Sequence, residues 1–133
     1  MKNQFLLLMF ITLLYACSDN NAIASKSTVY GKWKLIEILA DPGDGSGVFQ
    51  QVMSDKTLEF KENGIVITNT SLCNPYSEEV IGSGSYDFTE KVIRTGCENS
   101  NISKIYFEFE NEYLILNFIS NEGYSQKFEK QIE

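Results

Sequence analysis

The chain has 133 residues, with 11 Lys and Arg against 18 Asp and Glu, a formal charge of −7 at neutral pH, and no histidine. That length suits one domain and hardly two, and is enough to bury a real core. So acidic a chain is a poor match for nucleic acid or for electrostatic adhesion to an anionic membrane. Without histidine, neither a Ser-His-Asp nor a Cys-His arrangement nor an imidazole metal ligand can be assembled.

The chain opens with Lys2, an apolar run from Phe5 to Leu14 broken only by Thr12, and small Ala16 immediately before Cys17. This is the layout of a secretory signal, and the run falls well short of the ~20 residues that span a bilayer. Leu14-Tyr15-Ala16-Cys17 resembles the lipobox of bacterial lipoproteins. The resemblance implies cleavage after Ala16, fatty acyl chains such as palmitate on Cys17, and anchorage in the cell envelope. An ordinary secretory signal with a chance cysteine is the alternative. Ser18 is compatible with sorting to the outer membrane, and Asp19 with display at the cell surface. Residues 17–28 are polar and aperiodic and read as a lipidated, flexible tether; residues 29–133 form the domain.

The first strand starts near Tyr30-Gly31-Lys32-Trp33. Its apolar residues change parity from Trp33 and Leu35 to Ile36 and Ile38, which predicts a bulge near Ile36 before Asp41-Pro42 ends the element. Asp41 to Gly47 carries two carboxylates, a serine and three glycines. It reads as a lid over a barrel mouth, with a calcium-binding loop as the weaker alternative. A single helical turn is expected around Val48 to Ser54. Leu58 and Phe60 then alternate with polar neighbours, and Asn63-Gly64 signals a hairpin into Ile65-Val66-Ile67.

A loop from Thr70 to Ile81 follows. Ser85 to Phe88 and Val92 to Thr95 flank a turn at Thr89-Glu90. Ile105, Phe107 and Phe109 lead through Glu110-Asn111-Glu112 to Leu114, Leu116 and Phe118, and Asn121-Glu122-Gly123 leads to Tyr124, Gln126 and Phe128. Eight strands with short turns predict an all-β fold, an eight-stranded antiparallel up-and-down β-barrel.

Cys73 and Cys97 remain once Cys17 is committed to lipid. A bridge between them would close a loop of about 25 residues, worth on the order of 3 kcal/mol. Free thiols are the alternative, and two cysteines do not complete a zinc site. Glu78 and Glu79 point to opposite faces of an extended chain, so they do not converge for acid–base work. No enzyme, metal or cofactor is expected.

Gly31-Lys32-Trp33 at the start of an eight-stranded meander resembles the lipocalin signature, in which the tryptophan packs across the closed end of the barrel. More narrowly, GKWKLIEILADPGDGSGVF and LEFKENGIV resemble the lipocalin-like domains of bacterial lipoproteins; the META-type lipoprotein barrel is the second candidate. The lipocalin Thr-Asp-Tyr turn has no counterpart here. The late arginine over the tryptophan is also missing, since the sole arginine is Arg94, so Lys127 or Lys130 is expected in its place. The resemblance implies a carrier of a small hydrophobic or amphipathic ligand, lined by Trp33, Phe60, Tyr86, Phe107 and Leu116. The alternative is a barrel whose rings simply fill it, working as an interaction module that meets an envelope protein.

Overall fold

The computed structural model describes residues 29–73, 75–98 and 104–132. The signal segment, Cys17 and the tether through residue 28 lie outside the described residues. Nine strands follow one another: β1 (Gly31–Ala40), β2 (Gln50–Gln51), β3 (Thr57–Phe60), β4 (Ile65–Thr68), β5 (Ser83–Asp87), β6 (Val92–Thr95), β7 (Lys104–Glu110), β8 (Tyr113–Phe118) and β9 (Tyr124–Lys130). From β3 to β9 each strand pairs antiparallel with the next, and β1 pairs with both β3 and β9. The result is a closed eight-stranded antiparallel barrel to which β2 adds a short flap.

The parity change along β1 is a bulge. The register against β9 slips between Leu35 and Glu37, so Trp33 and Leu35 before it and Ile38 after it all face the interior. Beyond the bulge β1 has outrun β3, which pairs only from Gly31 to Lys34. Gln50 and Gln51 take up the open edge, opposite Ile38 and Glu37. This corrects the helical turn expected at Val48 to Ser54: ladder hydrogen bonds to β1 offer this segment more than an isolated turn could. Phe88 belongs to the β5–β6 turn rather than to β5, because Asp87 Oδ1 accepts from Thr89 N (2.8 Å) and Glu90 N (2.9 Å) and closes the turn there.

Two ends result. The floor carries the β3–β4, β5–β6 and β7–β8 turns together with Val29 and Trp33. Trp33 Nε1 donates to the Val29 carbonyl (2.9 Å). Gly31 enters β1 at φ +111°, a backbone conformation that glycine adopts without the strain a Cβ would bring. The mouth carries the loops after β1, β4, β6 and β8.

Candidate functional site

The interior shows where the five expected ligand-lining residues go. Trp33, Phe60, Phe107 and Leu116 are buried core residues, and Tyr86 packs against them half-buried. Ring centroids lie 5.0 Å apart for Phe60–Tyr86, 5.7 Å for Phe60–Phe107, 6.2 Å for Phe107–Phe109 and 5.7 Å for Trp33–Phe109, mostly edge-on or tilted. Trp33, Phe60, Tyr86 and Phe107 are thus joined through Phe109 as one packed ring cluster rising from the floor, and Leu116, opposite Phe107 on β8, belongs to the same core. Tyr86 also donates its hydroxyl to the Lys61 carbonyl (2.6 Å), tying the β3–β4 turn to β5; burial raises its pKa.

The mouth is covered by the loop between β4 and β5. Leu72 is fully buried as part of the core, and a Cβ on Gly84 would come within 3.1 Å of its Cδ1 and 2.7 Å of the Arg94 carbonyl, so only glycine fits beneath it. Ser71 organises the loop: its Oγ donates to the Glu79 carbonyl (2.9 Å) and accepts from Cys73 N (3.0 Å) and Ile81 N (3.2 Å). A Cys73–Cys97 disulfide, with sulfurs 2.05 Å apart, fastens this loop to the one after β6. Glu79 adds a second tie, its carboxylate accepting from Glu98 N at 3.1 and 3.2 Å. Glu78 is exposed, so the two glutamates do not converge. Cys73, Glu79 and Cys97 are clustered, but the sulfurs are spent on each other.

Asp41 to Gly47 is not the cover that its glycines suggest. Its residues lie mostly exposed and put no side chain into the core. Asp41 is the loop's own anchor: Oδ1 accepts from Gly43 N (2.7 Å) and Gly45 N (2.9 Å), and Oδ2 from Gly47 N (2.6 Å). These donors, Gly47 first, hold its pKa below the ordinary aspartate value. Asp44 Oδ1 likewise accepts from Ser46 N (3.0 Å). Both carboxylates of the loop are turned onto its own backbone amides.

Outside the barrel, the chain from Gln51 to Asp55 crosses the bulge in β1, tied there by Val52 N donating to the Ile36 carbonyl (2.9 Å), and a groove of about 950 Å³ opens beside it. Lys34, Glu37, Gln51, Met53, Tyr113 and Glu129 line it. Met53 is fully exposed on its rim and Val48 lies exposed nearby in sequence. Lys127 borders the same face, with Nζ 3.1 Å from Glu37 Oε2, 4.6 Å from the Tyr113 ring centroid and 5.4 Å from that of Phe49. Sequence reading missed this groove. Its signal was the parity change at Ile36, which marks where the sheet edge opens. A smaller hollow of about 410 Å³ lies between the β3–β4 and β5–β6 turns.

No family model matches this chain, and no curated protein or solved structure does either. The fold and surface themselves define the class: a closed antiparallel barrel with a packed aromatic floor, a disulfide-fastened mouth and an amphipathic external groove.

Proposed function

We propose that the protein is an envelope lipoprotein, tethered through lipidated Cys17, that works as a packed-barrel interaction module. The observation behind this reading is the continuity of the core. Buried side chains run without a break from Val29 and Trp33 at the floor, through Phe60, Phe107 and Leu116, to Leu72 under the mouth. A carrier of an apolar molecule would have to displace those rings, each of which contributes to stability by its burial. The outer groove offers what a protein partner needs: both charge signs, Tyr113, and an exposed methionine on a rim.

A photo-reactive side chain at Met53, in cells, is expected to yield one discrete cross-linked protein. The same group at Tyr106, on the outer face of β7, is expected to yield none. Native mass spectrometry of gently extracted protein tests the competing carrier reading. A stoichiometric apolar molecule recovered from the barrel would replace the module with the carrier.

A further inference from the structure

Two loops meet at the mouth around three groups that can ligate a metal. Cys73 and Glu79 come from the loop after β4, and Cys97 from the loop after β6. Their sulfur and carboxylate oxygen atoms all lie within 4.8 Å of one another, and the two cysteine Cα atoms are 5.9 Å apart. Cys73 Sγ stands 3.7 Å from Glu79 Oε2. A tetrahedral zinc ion, with bonds of about 2.3 Å to sulfur and about 2.0 Å to oxygen, holds a sulfur and an oxygen ligand about 3.5 Å apart and two sulfurs about 3.8 Å apart. The spacing of Cys73 from Glu79 is already close to that of ligands sharing one ion. Only the sulfur pair has to open.

The surroundings suit thiolates as well as a bridge. Thr95 Oγ1 donates to Cys97 Sγ (3.0 Å). Glu79 is fixed at both ends, its carbonyl accepting from Ser71 Oγ (2.9 Å) and its carboxylate from Glu98 N (3.1 and 3.2 Å). A disulfide is neutral and needs neither a donor nor a neighbouring carboxylate. A metal-bound sulfur gains from a hydroxyl donor, and a metal ion gains from an anionic ligand already held in place. Thiolates select zinc over the hard cations calcium and magnesium.

We propose that the dithiol form, in which the chain leaves synthesis, binds one zinc ion through Cys73 Sγ, Cys97 Sγ and the Glu79 carboxylate, with water as the fourth ligand. Binding releases the two thiol protons and oxidises nothing. A disulfide oxidant that later forms the Cys73–Cys97 bridge takes up two electrons and two protons, leaves as a dithiol and returns zinc to water. Ion and bridge thus fasten the same two loops in turn, and Leu72 stays seated in both states. This inference concerns the mouth and stands apart from the module reading, which concerns the outer groove.

The test uses the full chain carrying Cys17→Ser, which leaves Cys73 and Cys97 as its only cysteines. Purified under a phosphine that keeps both thiols reduced, it is titrated without oxygen with cobalt(II), a spectroscopic stand-in for zinc. One equivalent is expected to give a sulfur-to-cobalt charge-transfer band and the intense visible bands of four-coordinate cobalt, and zinc to erase both. The oxidised protein should give neither. Zinc should raise the melting temperature of the reduced protein and leave that of the oxidised protein unchanged. Glu79→Gln should weaken binding by about ten-fold or more, and Glu78→Gln, at its exposed neighbour, should not. The proposal is overturned if the reduced protein shows no charge-transfer band, or if its cobalt is six-coordinate. It is equally overturned if Glu79→Gln binds as tightly as Glu78→Gln, which would leave the sulfurs acting alone. Comparing reduced with oxidised protein needs no change at Glu79, so it decides the matter even where Glu79→Gln does not fold.

Discussion

Lys130 and Trp33 face each other across the β1–β9 seam, and the Lys130 Nζ stands 5.6 Å from the Trp33 ring centroid. A cation thus closes over the indole at the barrel floor. Of the two candidates, Lys127 is drawn outward to Glu37 and Tyr113, which leaves Lys130 for the indole. Lys130→Ala is expected to lower stability by about 0.5–1 kcal/mol, and Lys130→Arg to preserve it. Gly31→Ala should cost about 1 kcal/mol or more, since its backbone lies where a Cβ is strained. Denaturant unfolding followed by the fluorescence of Trp33, the sole tryptophan, reads all three.

The Cys73–Cys97 bridge spans 24 positions of sequence and holds the loop that seats Leu72. Replacing both cysteines by serine should lower stability by about 3 kcal/mol. Leu72→Ala in the oxidised protein should cost about 2–5 kcal/mol through the cavity it opens under the mouth. Intact mass before and after reduction and alkylation checks the bridge itself; two alkylatable thiols in the unreduced protein would contradict it.

Lys56 gives stability an unusual alkaline profile. Its pKa is lowered from 10.5 to about 8 on folding, so between those values the unfolded chain binds the proton and the folded chain does not. Stability therefore rises with pH across that window, on the order of 2 kcal/mol between pH 8 and 10. Tyr86 and Tyr124 oppose it from about pH 10 upward, because burial raises both phenol pKa values and the unfolded chain ionises first. Thermal unfolding should show a maximum in the alkaline range, and Lys56→Met should flatten the rising limb.

The loop after β1 should respond to acid instead. Asp41 has a lowered pKa, so the order it supplies is present at neutral pH and lost as pH falls through that depressed value. Hydrogen exchange at the Gly43, Gly45 and Gly47 amides should accelerate there. Asp41→Ala should produce the same acceleration at neutral pH while leaving the barrel amides protected.

Anchorage has its own test. Cys17→Ser should move the protein from the membrane fraction to the soluble fraction; continued sedimentation with membranes would remove the lipoprotein reading.

Period-two patterning made most of the barrel legible in the sequence. Leu58 and Phe60, Ile105 and Phe107, and Leu114, Leu116 and Phe118 could face only one interior, and Asn63-Gly64 fixed where one hairpin turned. The bulge at Ile36 was equally visible, because one extra residue must reverse the inward parity.

Alternation states which side chains point inward, but not whether space remains among them. That depends on distances between rings from different strands, such as Phe60 on β3, Tyr86 on β5 and Phe107 on β7. Only the tertiary structure could choose between two loops at one mouth. The glycine-rich 41–47 segment folds on its own carboxylate, while Leu72 finds the one place where Gly84 leaves room above the core. Local composition fixes how a loop can bend. What it covers is decided by the cavity that distant strands leave to be filled, and Leu72 rather than the 41–47 segment has the apolar side chain to fill it.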